Sequence, residues 1–240
     1  MKKGIFVMVD GIDGSGKAAV IKSLADWAEA KKLKILDLKD YCKTKRTFPE
    51  PEEISKYDCL ISAEPTYSMV GQAIREEIIR DNNRPYSAWT TAEAFSLDRE
   101  ILYRRVIIPA LEQGKIIFQE RGVTTSIVYQ PVQKESLELE KILDLSGNKL
   151  ALEYRPDLII IALVDPKEAV KRLAERDKKD NVIFEKLPFL EKIAERFSAP
   201  WFRELMEKHG SKVVYLKTDK TVYDTMEESV NIWENFKKHN

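Results

Sequence analysis

A glycine-rich segment near the N-terminus constrains the fold of this 240-residue chain more than any other. Residues 11–17 read Gly-Ile-Asp-Gly-Ser-Gly-Lys and have the spacing GxxxxGK. The apolar run Ile5–Val9 precedes them, and Val20, Leu24 and Trp27 follow at helical spacing. Glycines at a tight strand-to-helix turn let an anion approach the amides of the helix N-terminus without a Cβ in the way. The segment therefore predicts a phosphate-binding loop (P-loop) that joins a buried strand to a helix.

Short apolar runs alternate with helical patterns along the rest of the chain. Further strands are predicted at 59–61, 115–119, 158–164 and 213–216, and the shorter run 35–38 is compatible with another. After 158–164, a helix is predicted to begin at Pro166 with Asp165 as its cap. Strands that alternate with helices favour a parallel sheet covered on both faces. We therefore expect an α/β fold with three layers, α/β/α, and a mostly parallel sheet of about five strands.

The segment 39–57 differs from its surroundings. It is polar and charged, contains Pro49 and Pro51, and lacks a clear period. We interpret it as an inserted loop or small excursion, and not as a linker between domains. The chain is accordingly predicted to form a single domain over residues 1–240.

The charge balance disfavours some classes of partner. Lysine plus arginine number 40, as do aspartate plus glutamate, so the formal net charge is zero. This argues against a dedicated binder of nucleic acid or of anionic membranes, although a local basic cleft is still allowed. No apolar run reaches the length of a membrane span, and we expect a cytoplasmic protein with neither nucleic acid nor membrane as partner. With only His209 and His239, chemistry that needs a histidine base is disfavoured.

The residue types in the P-loop indicate which groups would hold phosphates. The loop residues expected to do so are Gly11, Ile12, Asp13, Gly14, Ser15, Gly16, Lys17 and Ala18. Lys17 is placed to reach the terminal phosphates. Ala18 stands where such loops have Ser or Thr, whose hydroxyl ligates Mg²⁺. Either Mg²⁺ is held by other oxygens and water, or it is held weakly, or turnover has been lost.

Motifs in a fixed order resemble the thymidylate kinase family over nearly the whole chain, apart from 39–57. The P-loop, with its acidic Asp13, is similar to that family's loop. The other matching pieces are Glu64-Pro65-Thr66 with Gly71 and Ile74-Arg75, Phe95–Arg99, Glu120-Arg121-Gly122 with Ser126 and Tyr129-Gln130, Arg155–Leu158, and Asp165-Pro166. They look like the family's EPGGT…G…IR, FxxxR, DRY…S…AYQ and PDL elements and the start of its next helix. Each piece is short, but their common order is specific.

The resemblance implies a P-loop kinase fold with a small lid at 176–188. It implies a nucleoside monophosphate kinase that uses ATP and Mg²⁺ to convert dTMP into dTDP, with these nucleotides as its small-molecule partners and a homodimer as its assembly. The catalytic residues that it implies are Lys17, Arg121, Asp13 and Glu120. On the donor side it adds Arg172 and Arg176 to the ATP-binding loop. Glu120 and Asp13 would hold Mg²⁺ through water.

For the acceptor, the resemblance implies side chains around the base, the sugar and the phosphate. The set comprises Glu64, Pro65, Arg75, Phe95, Arg99, Arg121, Ser126, Tyr129 and Gln130. Phe95 would stack on the base, and Arg99, four residues on, would share that helical face and donate to a base carbonyl. Arg121 would clamp the acceptor phosphate, since a planar guanidinium suits phosphate. Ser126 would read the base edge together with Gln130, and Tyr129 would pack beneath the sugar and disfavour a 2′-hydroxyl.

Two alternatives stay open from the residues alone. A related deoxynucleotide or deoxynucleoside kinase could use the same scaffold, and a nucleoside acceptor would need a base such as Glu120 to deprotonate its hydroxyl. Alternatively, the chain binds nucleotides with weak or no turnover, because Ala18 replaces the P-loop hydroxyl.

Overall fold

The computed structural model describes residues 4–80, 82–84, 86–133, 135–175 and 186–239. The strands in these ranges are Ile5–Gly11 (β1), Ile35–Asp37 (β2), Cys59–Ala63 (β3), Ile116–Glu120 (β4), Leu158–Leu163 (β5) and Lys212–Lys217 (β6). These six described strands form one sheet in the order β2-β3-β4-β1-β5-β6, and each neighbouring pair is parallel. The α/β prediction is confirmed, but the expected count of about five was one strand short. The extra strand is β2, because the short run at 35–37 pairs with β3 at the edge of the sheet.

Helices connect the strands and cover the sheet. They are Lys17–Ala30 (α1), Leu38–Lys45 (α2), Pro51–Ile54 (α3), Met69–Ala73 (α4), Ala88–Leu102 (α5), Ile108–Glu112 (α6), Val123–Tyr129 (α7), Leu139–Asp144 (α8), Ser146–Glu153 (α9), Pro166–Ala174 (α10), Leu187–Ser198 (α11), Pro200–Lys208 (α12) and Val222–Lys238 (α13). The π-helical turns Ile74–Ile78 and Tyr103–Ile107 continue α4 and α5, and the 3-10 turn Gln130–Val132 continues α7. As predicted, Pro166 begins α10, and the Asp165 carboxylate accepts a hydrogen bond from the Lys167 amide at 2.7 Å.

The central strand β1 shows why the sheet has a helical layer on each face. Its alternate side chains point to opposite sides, with Phe6 and Met8 in one buried cluster and Val7 and Val9 in the other. Helices α5, α7 and α11 contribute to the first cluster, and α1 and α13 contribute to the second. The three-layer prediction is therefore confirmed, and burial on both faces explains why the strands have continuous apolar sequences. No helix in the described part of the chain combines the length and apolar character needed to cross a membrane.

The segment 39–57, expected to be an inserted loop, contains two short helices. Asp37 caps α2, since its carboxylate accepts hydrogen bonds from the amides of Lys39 and Asp40 at 2.8 and 3.2 Å. Phe48 and Ile54 are buried in the first cluster. The two helices were not predicted, because the anchoring apolar residues are few and are separated by charged ones, so that they give no visible period.

Candidate active site

The P-loop turns from β1 into α1 through backbone conformations that suit glycine. Gly14 and Gly16 have φ angles of 81° and 85°, in the left-handed region. Space also requires glycine at position 14, because a Cβ there would lie 2.5 Å from the carbonyl oxygen of Ala169 in α10. Gly16 precedes α1, and no side chain of the described residues caps this end of the helix. The amides of the first turn are therefore available to an anion.

Lys17, the first residue of α1, lies folded against the loop. Its ammonium donates hydrogen bonds to the carbonyl oxygens of Gly11 and Ile12 at 3.2 and 2.7 Å. Burial, and after it the charge of Arg121, lowers the pKa of Lys17 to about 8. A phosphate group in place of the neutral carbonyl partners would stabilise the ammonium form. Lys17 is thus placed so that its ammonium could turn from these carbonyl oxygens toward a bound polyphosphate.

Arg121 directly follows β4 and reaches the P-loop. Its backbone amide donates to the carbonyl oxygen of Val9 at 2.9 Å, which fixes where the side chain starts. The guanidinium forms an ion pair with Asp13 and lies 3.7 Å from the Asp10 carboxylate. Burial opposes ionisation of Asp13, but the charges of Arg121 and Lys17 help to outweigh it and hold the pKa of Asp13 below its ordinary value. The structure therefore brings Arg121, Asp13 and Lys17 together.

Asp10 is a buried carboxylate that the sequence analysis missed. It accepts hydrogen bonds from the hydroxyls of Thr124 and Thr125 at 2.6 and 2.7 Å and from the amide of Gly11 at 2.8 Å. These bonds tie the start of the P-loop to the first turn of α7, the helix that carries Ser126. The detectable signal was a charged residue near the carboxyl end of an apolar strand, because such strand ends open onto ligand crevices.

Arg99 lies behind the cavity in a buried polar network. Its side chain is 1% exposed and pairs with Glu64 at 2.7 Å. The guanidinium also donates to the hydroxyl of Ser126 at 3.1 Å and to the side-chain oxygen of Asn148. Burial raises the pKa of Glu64 to about 7, although the charge of Arg99 favours the carboxylate. The network therefore joins the end of β3 to α5, α7 and α9.

The turn after β3 is held in place by two charged side chains. Asp98 accepts hydrogen bonds from the amide and the hydroxyl of Thr66 at 2.7 and 2.6 Å. Arg75 donates from Nε to the carbonyl oxygens of Pro65 and Thr66 at 2.8 and 3.0 Å. Its Cζ atom lies 3.8 Å from the centroid of the Tyr67 ring. Arg75 is thus fixed against Tyr67 at the edge of the cavity.

These elements enclose a cavity of about 580 Å³, a size typical of small-molecule sites. The predicted residues that line it are Asp13, Gly14, Gly16, Lys17, Ala18, Glu64, Pro65, Arg75, Phe95, Glu120, Arg121, Ser126, Tyr129 and Gln130. The carboxyl ends of β3, β4 and β1 lie side by side in the sheet. Residues of the P-loop and of the motifs assigned to the acceptor consequently line the wall of one cavity.

Other predicted residues lie away from that wall. In the described part of the chain these are Gly11, Ile12, Ser15, Arg99 and Arg172. Arg172 donates a hydrogen bond to the carbonyl oxygen of Thr218 at 2.9 Å, and Thr218 lies beside Gly16. Arg172 is therefore close to the P-loop but bound to protein. Arg176 and most of the predicted lid, 176–185, lie outside the described residues.

The wall also contains residues that the sequence analysis did not select. They are Lys39, Lys43, Ala63, Tyr67, Glu76, Ile79, Arg80, Thr125 and Gln133. Lys39 and Lys43 lie on α2. The available signal in the sequence was their spacing of four residues directly after a strand, which places two side chains on the same face of a helix. Tyr67 follows the Glu64-Pro65-Thr66 motif directly. To place either lysine at the cavity from the sequence, Asp37 would have had to be recognised as the N-cap of α2.

The carboxylates that line the cavity are the candidate ligands for a metal ion. Among the described residues, no group of three or more His, Cys, Asp or Glu side chains could hold a metal ion. Asp13 is engaged by Arg121, whereas the carboxylate of Glu120 has no hydrogen bond or ion pair to any other described side chain. Mg²⁺ is commonly held by one or two carboxylates together with water and substrate phosphates. Glu120 therefore fits an Mg²⁺ ion bound mainly to a nucleotide, and Ala18 offers no ligand.

Comparisons with known proteins agree with this arrangement. Residues 51–229 match the thymidylate kinase family model. A probable thymidylate kinase of Pyrococcus abyssi is 31% identical over 178 residues, which cover 72% of either chain. The thymidylate kinase of Mycoplasmoides gallisepticum is 28% identical over 93% of this chain and 92% of its own, and that of Caldicellulosiruptor saccharolyticus is 28% identical over 94% and 93%. The chain belongs to the thymidylate kinase family.

Proposed function

We propose that this protein transfers the γ-phosphoryl group of ATP to dTMP, giving ADP and dTDP. Membership of the family supports the reaction class. The observation that carries the proposal is the shared wall, where the P-loop and Lys17 face the same cavity as Phe95, Arg121 and Ser126. Transfer between two phosphates requires donor and acceptor to be held together in one site.

The proposed step forms one bond and breaks one. An oxygen of the dTMP phosphate bonds to the γ-phosphorus of ATP, while the bond from that phosphorus to the β–γ bridging oxygen breaks and ADP keeps the electron pair. The acceptor needs no general base, because the second pKa of a phosphate monoester is about 6. Lys17 and Arg121 would offset the negative charge around the transferred group. A bound Mg²⁺, held by Glu120 with water, would supply further positive charge.

Arg121 is proposed to exchange partners when the acceptor binds. Its present ion pair with Asp13 keeps the guanidinium beside the P-loop. A planar guanidinium can bind a phosphate with two hydrogen bonds, so the acceptor phosphate would compete with this carboxylate. Asp13 would then be free to contact the sugar or the Mg²⁺-bound water.

Base and sugar selection are proposed to depend on α5 and α7. Phe95 lines the cavity and offers an aromatic face to the base. Because Arg99 is bonded to Ser126, Glu64 and Asn148, we propose that it orients Ser126 toward the base edge. Tyr129 is buried, and its hydroxyl donates to Asp13 at 3.3 Å. A fixed ring there would leave no room for a ribose 2′-hydroxyl.

A panel of acceptors tests the proposal. ADP release is measured with dTMP, dUMP, UMP, dCMP, dAMP and thymidine in the presence of Mg²⁺. We expect dTMP to have the highest kcat/KM, with UMP weaker by at least about tenfold. Absence of turnover above blank with every acceptor would contradict the proposal, and calorimetric binding of ATP without product would indicate a nucleotide-binding protein. A preference for thymidine would instead identify a nucleoside kinase.

A further inference from the structure

Helix α2 brings two lysines to the rim of the cavity at Tyr67. Lys39 and Lys43 both line the cavity and lie one helical turn apart. Their Nζ atoms are 5.6 and 4.9 Å from the centroid of the Tyr67 ring. The Cζ atom of Arg75 lies 3.8 Å from the same centroid. Three cationic side chains from two separate segments therefore meet at one aromatic ring.

No carboxylate of the described residues forms an ion pair with this group, although the charges of Glu120 and Asp98 act on Arg75 at longer range. Arg75 donates to the neutral carbonyl oxygens of Pro65 and Thr66. No described carboxylate lies within ion-pair distance of Lys39 or Lys43. Arg121, whose charge also acts on Arg75, is by contrast paired with carboxylates.

Physical chemistry indicates what such a cluster would bind. Like charges at close range repel one another, and attraction to the face of an aromatic ring offsets only part of that cost. An anion placed among the cations would gain from each of them. The described cationic residues that line the cavity outnumber the acidic ones, six to four: they are Lys17, Lys39, Lys43, Arg75, Arg80 and Arg121 against Asp13, Glu64, Glu76 and Glu120. The rim is therefore suited to a compact anion such as a phosphate.

We propose that Lys39 and Lys43, with Arg75, complete the subsite in which Arg121 is proposed to hold the phosphate of the acceptor nucleoside monophosphate. The inference rests on the proposed function, because it assumes that the P-loop and Lys17 hold the donor's phosphates. The lysines belong to the segment 38–45, which lies outside the residues 51–229 that match the family model.

Two lysine variants and a matched control test the subsite. Lys39→Ala/Lys43→Ala is compared with Lys39→Arg/Lys43→Arg, which keeps the charge, and with Lys45→Ala, which removes an exposed lysine of the same helix that does not line the cavity. Calorimetry gives the Kd values of dTMP, thymidine and ADP for each protein. We expect the double alanine variant to weaken dTMP binding by about tenfold, the size of one charge-assisted contact, and to leave thymidine and ADP unchanged. Arginine should restore most of the loss.

Salt provides a second measurement. The difference in dTMP affinity between wild type and the double alanine variant should shrink as ionic strength rises from about 0.05 to about 0.5 M, because the lysines are exposed. The subsite is refuted if dTMP binding changes no more than in Lys45→Ala. It is also refuted if thymidine binding falls equally, which would show a structural effect, or if ADP binding alone falls, which would place the lysines on the donor side. Wild-type protein that binds dTMP but fails to turn it over would contradict the proposed function without touching this test.

Discussion

Lys17 carries a charge that the surrounding protein makes sensitive to pH. Its pKa is about 8, because burial disfavours the ammonium and Arg121 repels it. A bound polyphosphate would stabilise the ammonium, so nucleotide binding takes up a proton once the pH exceeds that value. ADP affinity is therefore expected to fall by up to about tenfold per pH unit above about 8, since the phosphates themselves are already ionised there.

Calorimetry with ADP from about pH 7 to about pH 9.5 measures this slope. Lys17→Arg is the control, because a guanidinium stays charged throughout this range and should flatten the profile even if it binds less tightly. A flat profile for the wild-type protein would show that the lysine is already fully charged without nucleotide.

Ala18 is the residue at which the P-loop departs most from its usual chemistry. Ala18→Thr would place a hydroxyl where an Mg²⁺ ligand normally stands. The Mg²⁺ concentration for half-maximal activity is expected to fall by about three- to tenfold, with an increase in kcat, as one further charge-assisted ligand would allow. ADP release is followed over an Mg²⁺ titration with dTMP as acceptor.

Ala19→Ser serves as the neighbouring control for Ala18→Thr, because it adds a hydroxyl one position further along α1. An equal response of both variants, or none in Ala18→Thr, would show that metal binding here does not depend on the hydroxyl at position 18.

Among the elements, the contact of α9 with α5 sets the position of the acceptor wall, the part of the cavity wall at Phe95 and Ser126 that is proposed to hold the acceptor. Gly147 allows this contact, because a Cβ there would lie 1.9 Å from the carbonyl oxygen of Ser96. The Gly147 amide also donates to the hydroxyl of Ser96 at 3.0 Å. The next residue, Asn148, accepts a hydrogen bond from Arg99. The helix pair thereby holds the buried network behind Phe95 and Ser126.

Gly147→Ala should push these helices apart. The free energy of unfolding is expected to fall by about 1–3 kcal/mol, as in other overpacked sites. The KM for dTMP should rise because the acceptor wall moves, while the Kd of ADP stays nearly constant. Chemical denaturation and steady-state kinetics measure the two effects, and Lys149→Ala, on the exposed side of α9, is the control. Unchanged stability would mean that the helices can separate at no cost.

At the scale of the whole molecule, the sheet order places the two halves of the site. Because β3, β4 and β1 are neighbours, Glu64, Arg121 and the P-loop follow adjacent strand ends. Parallel strands deliver such residues to one edge, where the crevice opens. The proposed donor and acceptor subsites are thus joined through the rigid core and share its stability.

Ligand binding should therefore stabilise the fold. At a hundred times its Kd, a ligand adds about 2.7 kcal/mol, which raises the Tm of a chain of this size by about 5–10 °C. We expect ADP and dTMP each to raise the Tm, measured by thermal melting. Lys17→Ala should weaken the response to ADP and preserve that to dTMP. No shift with saturating ADP in the wild-type protein would contradict nucleotide binding at the P-loop.

The sequence was sufficient for features that depend on local chemistry. The strand runs, the P-loop and the cap at Asp165 were predicted because backbone geometry and short apolar periods are encoded by neighbouring residues. The family motifs also placed Phe95, Ser126 and Tyr129 at the cavity. The helices in 39–57 were missed because their cap and their few buried anchors give a weak local signal.

Only the tertiary structure decided which charged side chains are paired within the protein and which remain available to bind a ligand. Arg99 was predicted to face the base, but Glu64 and Asn148, distant in sequence, hold it behind the wall. Lys39 and Lys43 belong to the segment 39–57, in which the sequence analysis selected no residue, and α2 places them at Tyr67. The physical reason is that burial and charge pairing act between residues brought together by the sheet, whereas the sequence shows only their neighbours along the chain.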